Sequence, residues 1–208
     1  MAQIHQATLT PTKLELLTAW LPARHWYPAD EAAALRRVAA CRFDDPAGEV
    51  GIETFVARDG EDGPLVHVPM TYRGAALEGA EPFLIGTTEH SELGTRWVYD
   101  AVADPVYLAV LAATIRTGGH EAEELVETEQ GPRRRDPIMT VRGTGMAGTS
   151  DDVGRLVRIE DGDPAVVVAE AARADVRRVL TGEPAEGPLS LAGRWKGLDA
   201  PVVLAVLH

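Results

Sequence analysis

The most recognisable chemistry in this chain is a glycine pattern. Gly143-Thr144-Gly145-Met146-Ala147-Gly148 fits G-x-G-x-x-G and follows a strand-like run. In a dinucleotide fold such a loop opens a helix at the third glycine, so that the first N–H groups of the helix face a pyrophosphate. Here Thr149-Ser150-Asp151-Asp152-Val153-Gly154 follows, and then another strand-like run. Strand, glycine loop, strand is the kinase arrangement, but the next strand should then carry a phosphate-gripping lysine and instead reads Leu156-Val157-Arg158-Ile159. No His-Arg-Asp and no Asp-Phe-Gly comes after it. With 20 glycines a chance match is easy, so the plain reading is a flexible loop. The alternative is a small sugar- or nucleotide-acting enzyme built on Gly143 to Gly148.

Other reactive residue types are present but dispersed. His5, His25, His67, His90, His120 and His208 show no helical or hairpin metal spacing, and the single cysteine, Cys41, cannot complete a thiolate zinc site. Ser91 follows His90 without the glycine-flanked elbow of a nucleophile. Cys41, beside Ala39 and Ala40 in an expected strand, reads as a buried inert thiol. Asp100 and Asp104 flank a turn and read as caps. No catalytic residue, metal or cofactor is therefore expected. Aromatic residues are scarce, yet Trp26-Tyr27 and Trp97-Val98-Tyr99 place four of them in two short segments. Such rings can floor a sugar pocket or anchor a core. Trp26, Tyr27, His90, Trp97 and Tyr99 form the candidate ligand or interaction surface.

Charge narrows the partners. Lys+Arg number 20 against 32 Asp+Glu, a net charge of −12, and the densest basic run is Arg133-Arg134-Arg135. Neither nucleic acid nor an acidic membrane surface is expected to bind, because phosphate recognition needs a basic stripe. Only Lys13 and Lys196 are lysines, which leaves few point-charge phosphate grips. The lone cysteine fits a reducing cytoplasm, and no stretch reads as a signal peptide or a membrane span.

The elements that must position these residues are marked by punctuation. Thr10 and Pro11 are expected to start a short amphipathic helix through Leu14, Leu17 and Leu21, stopped by Pro22. Residues 35–43, 49–57, 64–73 and 94–99 read as strands separated by turn clusters such as Asp44-Asp45-Pro46-Ala47-Gly48. Their alternation predicts an antiparallel meander with one buried face. Asp104, Pro105 and Gly118-Gly119 delimit a second helix, expected across the concave side of that sheet. Residues 119–137, rich in glutamate and then arginine, read as a solvated linker, helical in its acidic part. Short strands follow at Ile138 to Arg142, Leu156 to Ile159, Leu189 to Trp195 and Val202 to Leu207. Residues 165–180 are ambiguous between a strand at Val166-Val167-Val168 and a helix from Ala169 to Leu180.

Several of these segments carry a family resemblance. Trp20-Leu21-Pro22-Ala23-Arg24-His25-Trp26-Tyr27, the Asp44 to Gly48 turn, Val66-His67-Val68-Pro69-Met70-Thr71-Tyr72-Arg73, and above all His90-Ser91-Glu92-Leu93-Gly94 running through Trp97-Val98-Tyr99-Asp100 to Asp104-Pro105, resemble the N-terminal cap domain of actinobacterial maltokinases. The resemblance is closest to stand-alone cap-like proteins, some of which carry an alpha-glucan branching label. It covers about residues 10 to 118 and implies an α+β fold: a cystatin-like curved antiparallel sheet with helices on one face. The departures are His25, which interrupts an Arg-Trp-aromatic segment, and Pro28-Ala29-Asp30 in place of a Gly-Lys turn. The family's catalytic residues belong to a kinase core for which the remaining residues are too few, so none is carried over.

The expected organisation is a cap-like domain at 1–118, a linker at 119–137 and a small β-rich unit at 138–208. The expected role is noncatalytic, binding or regulatory, in glycogen, trehalose or aminosugar metabolism, with a carbohydrate enzyme or a small sugar as partner.

Overall fold

Between Leu35 and Asp100 apolar alternation and Gly/Asp/Pro turns drive the chain into antiparallel strands. The computed structural model describes residues 2–4, 8–32, 34–128, 131–146, 152–182 and 189–208. The first half holds β1 (Ala2–Ile4), β2 (Leu9–Thr10), α1 (Lys13–Trp20), β3 (Leu35–Phe43), β4 (Gly51–Asp59), β5 (Leu65–Arg73), β6 (Leu84–His90), β7 (Gly94–Asp100) and α2 (Pro105–Thr117). Then come β8 (Glu124–Thr128), β9 (Gly131–Arg135), β10 (Met139–Gly143), β11 (Leu156–Glu160), β12 (Ala165–Ala169), β13 (Ala172–Val176), β14 (Val179–Leu180), β15 (Leu189–Trp195) and β16 (Val202–Leu207). The fold is mostly β with few helices.

Three sheets result among the described residues. A curled antiparallel sheet runs β2-β6-β7-β5-β4-β3, and β14 adds to β5 through Val179↔Val66 and Leu180↔Leu65. A second antiparallel sheet runs β10-β15-β16-β13-β12-β11. A third, small one runs β1-β8-β9, with β1 parallel to β8.

Both faces of the curled sheet are buried, where alternation predicts one. On β4 every residue from Ile52 to Ala57 is buried, and on β5 every residue from Val66 to Thr71. One face packs Phe55, Val66, Val68 and Met70 against Leu16, Leu17 and Trp20 of α1. The other packs Ala39, Cys41, Ile52 and Val56 into a cluster with Leu108, Leu111 and Ile115 of α2 and with Val167, Leu191 and Leu204 of the second sheet. The helices therefore lie on opposite faces, not on one. Polar residues among the apolar ones disguised the second face: Thr54, His67 and Thr71 are buried too.

α1 starts two residues later than expected. Thr12 is the cap, accepting from the Glu15 N–H while Glu15 accepts from the Thr12 N–H, and this box satisfies two otherwise orphaned donors. Thr10 instead pairs with Glu89 in β2. α2 has the expected ends: Asp104 accepts from Val106 N–H at 3.0 Å, and Gly118 closes the helix in the left-handed conformation at φ 66°.

Two stretches differ from the helical reading. The acidic part of 119–137 is extended, because Glu124 to Thr128 pairs antiparallel with Gly131 to Arg135 in a β8–β9 hairpin. Residues 165–176 form the β12–β13 hairpin, turning at Glu170 and Ala171, since Ala172, Ala174 and Val176 alternate into the core, and Val179–Leu180 leave it as β14. β6 was hidden by Gly86. A Cβ there would meet the tip of the Leu16 side chain, Cδ2, at 2.7 Å, so α1 approaches closely at this point, and the glycine interrupts the apolar run.

Candidate functional site

The five candidate surface residues are distributed over three places. Trp26 and Tyr27 are buried in the α1-side cluster. The Trp26 indole N–H donates to Asp161 Oδ1 at 3.0 Å, and its ring meets Trp20 edge-on with centroids 5.9 Å apart. Tyr27 donates to Asp59 Oδ2 at 3.3 Å, and burial beside that carboxylate pushes its phenol up to about 12. Tyr99 is buried with Ala80 and Ala103, Trp97 is half-buried against the same group, and the Tyr99 oxygen accepts from Leu77 N–H at 2.9 Å. His90 ends β6, where its Nδ1 accepts from the N–H groups of Glu92 and Leu93 at 3.2 Å each. The fold does not bring these residues into one pocket; each is engaged in an internal contact.

Trp26 touches a buried charged group. Arg178 is fully buried, and its two terminal nitrogens donate to the two oxygens of buried Asp100, Nη1 to Oδ1 at 3.0 Å. Its guanidinium carbon lies 4.9 Å from the Trp26 ring centroid, a cation–π contact in a desolvated place. The backbone around it is stitched to β5: His67 N–H donates to Arg178 O at 2.7 Å, and the His67 ring nitrogen Nδ1 meets Arg177 O at 2.8 Å. Arg178 N–H donates to Asp163 at 2.8 Å. These contacts, with β14, join the second sheet to the curled one.

Sequence reasoning missed Arg178 and Asp161 as members of this group and assigned Asp100 and Asp104 to capping alone. Both do cap: Asp100 accepts from Val102 N–H at 3.5 Å. Each also takes an arginine, Asp104 in a two-pronged pair with Arg73 at 2.7 Å per bond. The His90 to Asp104 stretch thus ends in two buried carboxylates, each held by a guanidinium fork. A buried aspartate pair flanking a turn was the available signal.

The described part of the glycine motif has a different geometry from a phosphate cradle. Gly143 and Gly145 lie against the last turn of α2: a Cβ on Gly143 would come 2.1 Å from Thr114 O, and one on Gly145 would come 2.1 Å from Arg116 O. Gly145 N–H donates to Ile115 O at 2.8 Å, and Thr144 exchanges bonds with Ser190. This is the carbonyl end of a helix, whose partial negative charge repels phosphate. Ala147 and Gly148, with Thr149, Ser150 and Asp151, lie outside the described residues, as does His5. Substituting Gly145 with Ala is expected to cost about 1–3 kcal/mol, since backbone must move to admit the methyl group. Urea unfolding of the variant checks this, and an unchanged midpoint would show that the approach is not as tight as drawn.

Cys41 is buried, and burial pushes its thiol up, away from the reactive thiolate. Among the described residues no group of three or more His, Cys, Asp or Glu is gathered so that it could hold a metal ion. A cleft of about 320 Å³ opens between the end of β3, the middle of α2 and the start of β8, with Phe43, Val110 and Thr114 on its walls and Asp44, Glu121 and Glu123 among its carboxylates. Glu121 already accepts from Val141 N–H, and Glu123 pairs with Arg134. Among the described residues no helix is long and apolar enough to cross a membrane.

The arrangement defines a class first: a mostly β protein whose curled antiparallel sheet is gripped by a helix on each face and sealed by buried Arg–Asp pairs. Residues 20–104 match the family model of the maltokinase N-terminal cap domain, so this stretch, from Trp20 to Asp104, is similar to that domain. That span takes in β3 to β7 and both carboxylates of the guanidinium forks. No curated protein matches the chain.

Proposed function

We propose that this is a noncatalytic cap-like protein that works by binding or association in carbohydrate metabolism, in a glycogen, trehalose or aminosugar setting. The match of residues 20–104 to the maltokinase N-terminal cap domain carries the reading, since that family name places the domain beside a sugar-phosphorylating activity. Three observations support it. The glycine motif faces helix carbonyls, the sole thiol is buried, and the aromatic candidates are tied into internal contacts. In this reading the curled sheet is the cystatin-like scaffold of the cap, the protein is cytoplasmic, and its partner is a carbohydrate enzyme or a small sugar rather than nucleic acid or membrane.

A thermal-shift series on the pure chain against ATP, ADP, maltose, trehalose, glucosamine and their phosphates tests this. A ligand at a hundredfold excess over its Kd stabilises by about 2.7 kcal/mol, a shift of several degrees. The expected outcome is no shift with either nucleotide and no ATP-dependent phosphorylation of any of the sugars. Turnover of ATP with a sugar, abolished by substitution of the chain's own residues, would overturn the proposal.

A further inference from the structure

Arg133, Arg134 and Arg135 stand exposed and consecutive on β9, in a chain whose formal charge is −12. β9 is the outer strand of the β1-β8-β9 sheet, and among the described residues no strand pairs with its far side. Arg134 makes an ion pair with Glu123 at 3.0 Å, but both side chains remain about half exposed or more, at 64% and 48%. A pair so open to water contributes little and is easily exchanged for another carboxylate. The register sets Arg133 opposite Val126 and Arg135 opposite Glu124, with Arg134 opposite Leu125. Arg133 and Arg135 therefore belong to one face of the strand and Arg134 to the other.

We propose that the outer edge of β9 docks an extended acidic segment of a partner protein, which adds to the β1-β8-β9 sheet as a fourth strand. An open strand edge offers main-chain donors and acceptors to an incoming strand, and side chains at alternate positions choose the sequence. Arginines on both faces of β9 meet carboxylates on both faces of the added strand, and cross-strand pairs of opposite charge are favourable. The same rule disfavours a second copy of this chain, because β9 against β9 sets arginine beside arginine. Nucleic acid is disfavoured too. A polyanion lying on one face reaches two of the three arginines at most, beside Glu121, Glu123 and Glu124, whereas its affinity grows with the number of phosphates neutralised. Pro132 has no N–H, so the main-chain pairing falls on residues 133 to 135.

The full chain is titrated into a fluorescein-labelled peptide of two Glu-Glu-Val-Val repeats, which carries carboxylates on both faces when extended, read by anisotropy at low and physiological salt. Binding that weakens with salt is expected, and the triple substitution R133E/R134E/R135E should weaken it about tenfold or more. A second probe separates strand addition from charge alone: the same peptide, N-methylated at alternate residues, keeps its carboxylates but cannot pair along an edge, and should lose binding. This probe uses the unaltered protein, so it decides the matter even if the triple variant does not fold. The proposal is overturned by no binding of the unmodified peptide, by equal binding of the methylated one, by a folded triple variant that binds as well, by a uridine oligonucleotide that binds more tightly, or by arginine-dependent dimers.

Discussion

Replacing Arg178 with Ala should lower the unfolding free energy by about 3–5 kcal/mol, the range for removing one partner of a buried ion pair. The cost comes mainly from what remains. Asp100 is fully buried, and without the guanidinium its carboxylate keeps only the Val102 N–H at 3.5 Å. The Trp26 ring also loses the cation 4.9 Å from its centroid. A charge that cannot be solvated must take up a proton or expose itself, and either costs several kcal/mol. Replacing both partners with apolar residues, R178M with D100L, should recover much of the loss, because the desolvation penalty disappears with the pair. Urea midpoints for the single and double variants measure this; an R178A loss below about 1 kcal/mol would show that the joint is not the anchor described.

Acid should weaken the protein through His67. The ring is buried, and burial together with the nearby Arg178 charge pulls its pKa from 6.5 down to about 4. Below pH 6.5 the unfolded chain takes up a proton at this position while the folded chain does not. Stability is therefore complete above that pH and falls as the solution is acidified toward 4. At about 1.4 kcal/mol per pH unit, the loss approaches 3 kcal/mol. His67→Asn keeps a donor toward the Arg177 carbonyl and cannot titrate. Carboxylates contribute to acid sensitivity in both proteins, so the difference between their stability curves isolates the histidine. That difference should grow between pH 6.5 and 4; a constant offset would mean that His67 titrates normally.

How much of this was legible depended on the range of the interaction. β3 and α2 were readable almost residue by residue, because alternation and caps are local: Asp104, Pro105 and Gly118 act within one turn. The β8–β9 hairpin misled because glutamates and arginines favour a helix until each is paired across strands, as Glu124 is with Arg135. Residues 165–180 stayed open between strand and helix for a related reason, since alanine is a helix former in isolation and a small core-facing residue in β13. In the candidate site Asp100 was visible, and its partner was not. Arg178 lies 78 positions away, and nothing local distinguishes it from the other arginines of the chain. Glycine spacing carried the opposite error, offering a pattern whose glycines serve helix–strand contact rather than phosphate.

The two-residue strand β14 has a consequence for synthesis. A ribosome delivers β5 and Asp100 long before Val179 and Leu180, so half of one edge of β5 waits unpaired while the intervening chain is made. Throughout that interval the nascent sheet holds a carboxylate meant for burial and no guanidinium to meet it. The curled sheet is thus completed last by its most distant contributor, and the burden of protecting the emerging chain falls on whatever shields that edge in the meantime.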